Sequence, residues 1–168
     1  MGFKKTSDTI AISFGVDESA ANTYTQGSVD LNLDPLNREV FIVQGIDMDM
    51  SPPDVVAGTS TAVESALTTT SQTQMTRLSN ANCLSSARSD VRMGAGSVEG
   101  VPFSRDSSDV IPASLEYLGI IATNDFFVSI AGQNNTAAKT LTGKLYGYRA
   151  QASADIYAAL VQSEVLSA

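Results

Sequence analysis

Residues 115–149 read LEYLGIIATNDFFVSIAGQNNTAAKTLTGKLYGYR, and this stretch decides the fold class. Phe126, Val128 and Ile130 recur at every second position, so they share one face of an extended strand. Residues 132–136, GQNNT, are polar and tolerate positive φ, which predicts a loop. Residues 140–149 then resume the alternation. The stretch therefore predicts a β-hairpin of two long strands.

The second of these strands has two distinct faces. One predicted face holds Leu141, Gly143, Leu145 and Gly147, and the other holds Thr142, Lys144, Tyr146 and Tyr148. Leucine on one side and polar or aromatic residues on the other are typical of a strand that covers a core. The two tyrosines could form a binding face, or they could simply cover a neighbouring layer.

The same period of two appears in the first fifty residues. Residues 9–16 and 23–33 each alternate, 34–37 (DPLN) form a turn, and 38–50 form a third, longer strand that Ser51-Pro52-Pro53 ends. For the third strand the alternation places Val40, Ile42, Ile46, Met48 and Met50 on one face and Phe41, Val43, Asp47 and Asp49 on the other.

The pattern is weaker in residues 54–110. Residues 62–66 suit a helix while 68–70 (TTT) favour a strand, and 80–92 place Leu84, Ala87 and Val91 at helical spacing. A flexible loop is expected around Gly94, Gly96, Gly100 and Pro102.

Towards the C-terminus, residues 110–123 predict a strand pair or one strand bent near Gly119. Ser153 is a candidate N-cap for a helix over 154–165, whose apolar stripe should pack against a sheet or a neighbouring molecule. Residues 1–8 are expected to form an N-terminal arm.

Seven or eight two-faced strands, few helices and a length of 168 residues predict a single all-β domain over residues 1–168. About eight antiparallel strands in two sheets correspond to a sandwich of the jelly-roll type. The chain has 36 serines and threonines and only 17% charged residues, which does not suit a helical bundle.

Charge is unevenly distributed along the chain. Residues 17–64 contain nine acids and one base, so this segment carries the whole net charge of −8, whereas the arginines concentrate at Arg77, Arg88, Arg92 and Arg105. An acidic surface repels free nucleic acid, so no direct nucleic-acid binding is expected. No apolar run reaches the length of a membrane span.

Nothing in the sequence points to catalysis. The chain has no histidine, which removes the commonest general base and metal ligand, and its one cysteine, Cys83, has no basic partner nearby in sequence. Asp47, Asp49 and Asp54 could hold a hard cation, or they could keep a strand face soluble. The expectation is a protein that is not an enzyme, with no catalytic residue, metal site or cofactor.

Residues 115–151, and in particular NDFFVSIAGQNNTAAKTLTGKLYGYRAQ, resemble the closing strands of viral capsid jelly rolls. The resemblance implies a structural virion protein, a capsid subunit made in the host cytoplasm that assembles with copies of itself into an icosahedral shell. Other virion proteins are further possible partners. The acidic 17–64 segment and the four arginines could then pair between subunits.

A second class of function fits the same strands. A carbohydrate- or receptor-binding β-sandwich, such as a fibre head or a lectin, would cluster exposed aromatics and carboxylates at one end and remain a monomer or trimer. An enzyme, the third class, would need a deep pocket with two carboxylates.

Overall fold

The computed structural model describes residues 2–94, 99–105, 107–110 and 115–167, with only the backbone for 107–110. Two antiparallel sheets pack face to face. Sheet A contains β1 (Phe3–Lys5), β2 (Ile10–Asp17), β4 (Glu39–Met50), β8 (Ser107–Val110), β9 (Gly119–Ile121) and β11 (Thr140–Ala152). Sheet B contains β3 (Thr25–Asp30), β5 (Thr61–Thr68), β6 (Cys83–Met93), β7 (Gly100–Arg105) and β10 (Asp125–Gln133). One helix, α1 (Ala154–Leu166), follows β11.

The strand order confirms the predicted two-sheet sandwich. In sheet A, β1 and β2 pair end to end along one edge of β11, β4 pairs along its other edge, and β8 and β9 continue beyond β4. In sheet B the order is β3-β10-β5-β6-β7. Successive strands therefore cross between the sheets repeatedly, which is the jelly-roll arrangement.

The predicted hairpin of residues 115–149 is wrong, although both of its strands exist. β10 lies in sheet B between β3 and β5, while β11 lies in sheet A between β2 and β4. The loop after β10 thus carries the chain from one layer to the other. Alternation identifies a two-faced strand but not its partner, because a hairpin and a crossover have the same period.

The core between the sheets contains the apolar residues that alternation placed together. Phe126, Val128, Ile130, Leu141 and Leu145 are all essentially inaccessible to solvent. The rings of Phe14 (β2) and Phe126 (β10) meet edge to face at 6.0 Å, so they join the two sheets.

Glycine on β11 makes room for the aromatic rings of this core. A Cβ built on Gly143 would lie 2.6 Å from the ring of Phe14 and 2.3 Å from the carbonyl oxygen of Asp47. One on Gly147 would lie 2.6 Å from the ring of Phe41. Both positions therefore require glycine for close packing rather than for backbone freedom.

The predicted faces of β4 are wrong in part, because a bulge changes their parity. The register with β11 shifts so that Gly45 pairs with Tyr146 and Val43 pairs with Gly147, leaving Gln44 as the extra residue. Before the bulge, Phe41 and Val43 enter the core and Val40 and Ile42 face outward; after it, Ile46 and Met48 enter the core and Asp47 and Asp49 are exposed.

The helices suggested for residues 62–66 and 80–92 are also wrong, since these residues form β5 and β6. In the pairing of β5 with β6, Thr68 lies opposite Cys83 and Leu67 lies opposite Ser85, so Leu84 is an extra residue. This irregularity turns the side chain of Leu84 towards the core, as that of Ala87 is, and so produces the helical spacing. Gly100 and Pro102 belong to β7 rather than to a loop. Residues 95–98, which include Gly96, lie outside the described residues.

Of the strand pair or bent strand predicted for residues 110–123, the described residues contain β9 and the last residue of β8, and both strands pair with β4 rather than with each other. The predicted C-terminal helix is present. Residues 111–114 lie outside the described part of the chain. The helix packs Ile156, Tyr157, Leu160 and Val161 on the outer face of sheet A, over Val40, Ile42, Ala150 and Ala152. Glu164 fastens its far end, since its carboxylate accepts hydrogen bonds from the backbone N–H groups of Ala122 (2.7 Å) and Thr123 (3.1 Å).

Candidate functional site

A cluster of polar side chains ties three loops together at one end of the sandwich. We call it the loop-end cluster; it comprises Glu18, Asn22, Asp54, Asn135 and Lys139. Buried Glu18 accepts hydrogen bonds from the backbone N–H groups of Lys139 (2.9 Å), Thr23 (2.9 Å) and Gly132 (3.1 Å). It thereby joins the loop after β2 to both ends of the loop between β10 and β11.

Asn22 and Asn135 join the same loops directly. The Asn22 side-chain amide donates to the Asn135 carbonyl oxygen (2.9 Å), and the Asn135 backbone N–H donates to the Asn22 side-chain oxygen (2.8 Å). Both asparagines lie within loops rather than on strands, and Asn22 has a positive φ of 61°. Asparagine tolerates this conformation better than most residues. The cluster therefore holds the loops in fixed positions.

Asp54 joins a third loop, the one between β4 and β5, to the cluster. Its carboxylate accepts from the Lys139 ammonium (2.6 Å) and from both the hydroxyl and the backbone N–H of Thr136 (2.9 Å each). These hydrogen bonds, that to Lys139 foremost, lower the pKa of Asp54 to about 2. The carboxylate is thus ionised and fully engaged with the loop between β10 and β11.

The structure does not bring Asp47, Asp49 and Asp54 together. Asp47 and Asp49 stand on the outer face of β4, whereas Asp54 belongs to the loop-end cluster. Within the described ranges, no group of three or more histidine, cysteine, aspartate or glutamate side chains could hold a metal ion. A shared cation site for these three aspartates therefore has no geometric support.

A network of ion pairs lies on the outer face of sheet B. Buried Glu64 on β5 pairs with Arg88 on β6 and, at 2.5 Å, with Arg77 from the loop between these strands. Asp90 pairs with Arg88 (2.5 Å) and with Arg92 (3.1 Å). Burial alone would lower the pKa of Arg88, but its hydrogen bonds to Asp90 and Glu64 outweigh burial and raise it.

This network bears on the hypothesis that the acidic segment and the arginines could pair between subunits. Glu64 is the last acid of that segment, and it pairs with two of those arginines inside one chain. Glu39 likewise pairs with Arg149 (2.6 Å), and Asp54 pairs with Lys139. The acids left on the surface are consequently fewer than the sequence suggests.

A groove of about 450 Å³ runs beside the network. Its floor is the outer face of β5 and β6, and its rim includes Met75, Arg77, Leu78 and Arg105. The rim combines apolar side chains with guanidinium groups, and Leu78 is exposed. The groove can therefore accept a group that is partly apolar and partly anionic.

The groove opens towards β7, which ends sheet B among the strands described. We call Arg92, Val101, Phe103 and Arg105 the β7 patch. Val101 and Phe103 are 57% and 55% exposed, and the Arg92 guanidinium lies 5.9 Å from the centre of the Phe103 ring. Register pairs Arg92 with Val101 and Asp90 with Phe103, so these side chains share the outer face. The patch is thus an apolar strip flanked by positive charge.

The opposite side of the sandwich carries an exposed acidic surface. We call Asp17, Asp47 and Asp49, on the part of sheet A that α1 leaves uncovered, the acidic face. All three are exposed, and in the part of the chain that the structure describes none of them has an ion-pair partner. Small exposed residues lie between them, namely Ser13, Gly15 and Thr142, and Ala11 lies beyond Asp47. Lys144, opposite Asp47 in the register, is the one base on this surface of β11.

The two tyrosines of β11 have different surroundings. Tyr148 packs against the cluster beneath α1, and the Lys5 ammonium lies 4.7 Å above its ring, so it covers a neighbouring layer as one of the two predictions has it. Tyr146 is 38% exposed beside the acidic face. They therefore do not form a common aromatic binding face.

Cys83 is buried, and its thiol donates to the carbonyl oxygen of Ser85. Burial raises the pKa of this thiol, which keeps it protonated and unreactive. These surroundings suit a structural role.

The sequence contained a signal for the arginine network that helical spacing obscured. Arg88, Asp90 and Arg92 recur at every second position, which in a strand places all three on one face. The partners of Glu18 gave no such signal, because Lys139 lies 121 residues further along the chain.

No protein-family model matches the sequence, and no curated protein matches it. Among solved structures, the chain is similar to one from Desmodium yellow mottle tymovirus, with 13% identity over 88% of this chain and 90% of that chain and a TM-score of 0.30. It is also similar to a chain from turnip yellow mosaic virus, with 16% identity over 85% of this chain and 94% of that chain and a TM-score of 0.30. A third structure, of the empty head of turnip yellow mosaic virus, has 13% identity over 89% of this chain and 85% of that chain, with a TM-score of 0.29. Scores this low support no inference about this chain.

The one helix in the described residues, α1, is too short to span a membrane.

Proposed function

We propose that this chain is a structural virion protein, a capsid subunit that assembles with copies of itself into an icosahedral shell. In this proposal residues 1–168 form one domain, made in the host cytoplasm and located in the virion. The chain is not an enzyme and needs no cofactor, and other virion proteins rather than nucleic acid are its further partners.

The observation that carries this proposal is the β7 patch. Large apolar side chains on the last strand of a sheet are a liability in a free monomer, because they promote association with other chains. Val101 and Phe103 are over half exposed on the outer face of β7, with Pro102 between them and Arg105 beside them. A protein that functions by associating with its own copies uses such an edge.

The rest of the molecule agrees with a purely structural role. Jelly rolls serve as capsid, lectin and cupin domains, but a cupin metal site depends on histidine, and this chain has none. The loop-end cluster fixes the loops internally and leaves no charged side chain of Glu18, Asp54 or Lys139 free for chemistry. Rigid loops are what repeated contacts between identical subunits require.

Light scattering tests the proposal on the purified chain. The wild type should form particles far larger than a 17.6 kDa monomer, and Phe103→Ser should reduce their yield, because it removes the largest apolar side chain of the β7 patch. Leu36→Ser is the matched control, since Leu36 is 93% exposed in the turn before β4, outside the patch. A wild-type chain that remains at monomer mass across salt and protein concentration contradicts the proposal.

The groove beside Arg77 and Arg105 supports a second candidate, a receptor- or carbohydrate-binding module. It is concave, and its rim offers hydrogen-bond donors that suit anionic groups such as carboxylated sugars. This candidate predicts a small species that binds an acidic glycan on an array and loses that binding in Arg77→Ala. Binding without assembly would favour it over the capsid subunit.

A further inference from the structure

We propose that subunits associate head to tail, with the β7 patch of one copy packed on the acidic face of the next. The inference rests on the proposed function and names the contact that assembly would use. The occupant of the β7 patch is thus a second copy of this chain.

Charge complementarity identifies the occupant. Among the described residues, the ion-pair network beneath the patch contains three arginines, Arg77, Arg88 and Arg92, and two carboxylates, Glu64 and Asp90. Arg105 adds a fourth guanidinium, which donates to the carbonyl oxygen of Ser86. Arg92 is 65% exposed even though it pairs with Asp90. Positive charge therefore remains available beside Val101 and Phe103, and a partner that brings carboxylates would be favoured over one that brings bases.

The acidic face has the matching properties. It carries three negative charges, which have no ion-pair partner among the described residues: Asp17, Asp47 and Asp49. These charges are opposite in sign to the arginines of the β7 patch. The exposed residues Ser13, Gly15 and Thr142 between these aspartates are small, whereas Lys144 lies opposite Asp47, so the Phe103 of another copy would dock on the side of Asp17 and Asp49. α1 covers the other half of this sheet and so limits where the copy can dock.

Geometry excludes the pairing of these two surfaces within one molecule. The β7 patch lies on the outer face of sheet B, and the acidic face lies on the outer face of sheet A, so they point to opposite sides of the sandwich. A symmetric contact of patch with patch would place arginines against arginines, and one of face with face would place aspartates against aspartates. A head-to-tail contact avoids both repulsions, and it can close into rings.

Two variants test this arrangement. The patch variant carries Phe103→Asp and Arg105→Glu, and the face variant carries Asp47→Lys and Asp49→Lys. Each leaves one surface intact, and each should weaken self-association at least about ten-fold, the effect of ~1.4 kcal/mol. Lys4→Glu and Asp8→Lys are controls that change charge at exposed positions near the N-terminus, outside both surfaces. Circular dichroism and thermal unfolding check that every variant folds, and Arg105→Gln and Asp49→Asn replace any that does not.

Mixing the two variants distinguishes head-to-tail from symmetric contacts. In sedimentation velocity, each variant alone should remain a monomer, and the equimolar mixture should form a dimer that does not grow. In this dimer the intact acidic face of the patch variant contacts the intact β7 patch of the face variant. The two altered surfaces have opposite charges, but without Phe103 they associate too weakly to add further copies to the dimer.

Four outcomes overturn this inference. If either variant assembles as the wild type does, the contact lies elsewhere, while the proposed capsid function stands. If the face variant alone dimerises, or if the mixture stays monomeric, the contact is not head to tail. A wild-type chain that never leaves the monomeric state overturns both this inference and the proposed function.

Discussion

Removing the carboxylate of Glu18 should destabilise the sandwich more than removing any exposed acid. Its side chain is 5% exposed and accepts three backbone hydrogen bonds at 2.9–3.1 Å from Thr23, Gly132 and Lys139. Glu18→Ala leaves these three donors without an acceptor. At about 1–3 kcal/mol for each unsatisfied buried group, the loss is roughly 2–6 kcal/mol, because water reaches the most accessible donor, Thr23, and two donors remain unsatisfied.

Glu18→Gln separates the loss of charge from the loss of shape. The glutamine oxygen can still accept from the two donors that now share Oε2, but its amide nitrogen opposes the N–H of Lys139. One lost acceptor corresponds to roughly 1–3 kcal/mol. The expected order of stability is therefore wild type, then Glu18→Gln, then Glu18→Ala.

Urea unfolding measures these differences. Because the chain has no tryptophan, far-ultraviolet circular dichroism and tyrosine fluorescence are the suitable signals. Asp8→Ala, an exposed acid near the N-terminus, is the control and should stay within about 0.5 kcal/mol of wild type. Glu18→Ala as stable as this control would refute the reasoning that buried donors of the loop-end cluster depend on one carboxylate.

Three further predictions concern the core, the helix and the loop-end cluster. Gly143→Ala should lower the free energy of unfolding, measured by thermal unfolding, by about 1–3 kcal/mol, because its Cβ would overlap the Phe14 ring. Gly27→Ala is the control and should change the free energy of unfolding little, because its Cβ would lie 3.6 Å from the nearest atom; equal losses in the two variants would contradict this reasoning. Burial raises the pKa of Glu164 above its ordinary 4.5, so wild type loses stability as the pH rises from 4.5 through the raised pKa. Glu164→Gln should therefore gain stability relative to wild type over that window and show a constant difference above it, and a difference independent of pH throughout would count against this reasoning. Asp54 has its pKa lowered from 3.8 to about 2, so its contribution is complete above pH 3.8 and is lost as the pH falls through 2; the stability difference between wild type and Asp54→Asn should be constant from pH 5 to 8 and shrink only in that acidic window.

The sequence predicted strands and their faces well where alternation was uninterrupted. β2, β10 and β11 present the expected side chains to the core, and α1 packs its apolar stripe on sheet A. The period of two arises from local backbone geometry, so it is readable without knowing the neighbours of a strand. The same holds for the turn at 34–37, where Asp34 accepts a hydrogen bond from the Leu36 N–H (2.9 Å).

The sequence misled wherever register or pairing decided the outcome. The extra residue Gln44 reverses the faces of β4, and nothing local indicates that a bulge lies there. The extra residue Leu84, between the paired residues Cys83 and Ser85, gave the apolar residues of β6 the spacing of a helix. The separation of β10 from β11 depends on contacts with β5 and β4, whose paired residues are at least 59 positions away in the sequence.

The candidate surfaces were only partly predictable for the same reason. Composition located the acids and the arginines, but which of them pair internally depends on long-range register. Glu64 pairs with Arg88 because β5 and β6 are neighbours, while Asp47 and Asp49 remain exposed because the bulge turns them outward. Exposure of Phe103 likewise depends on β7 lying at the end of sheet B.

Cryo-electron microscopy of the purified chain tests the central claim most directly. A self-assembling capsid subunit predicts closed particles of uniform diameter whose averaged images contain five-fold symmetry. Particles that contain only one to three subunits, at every salt and protein concentration examined, would contradict that claim.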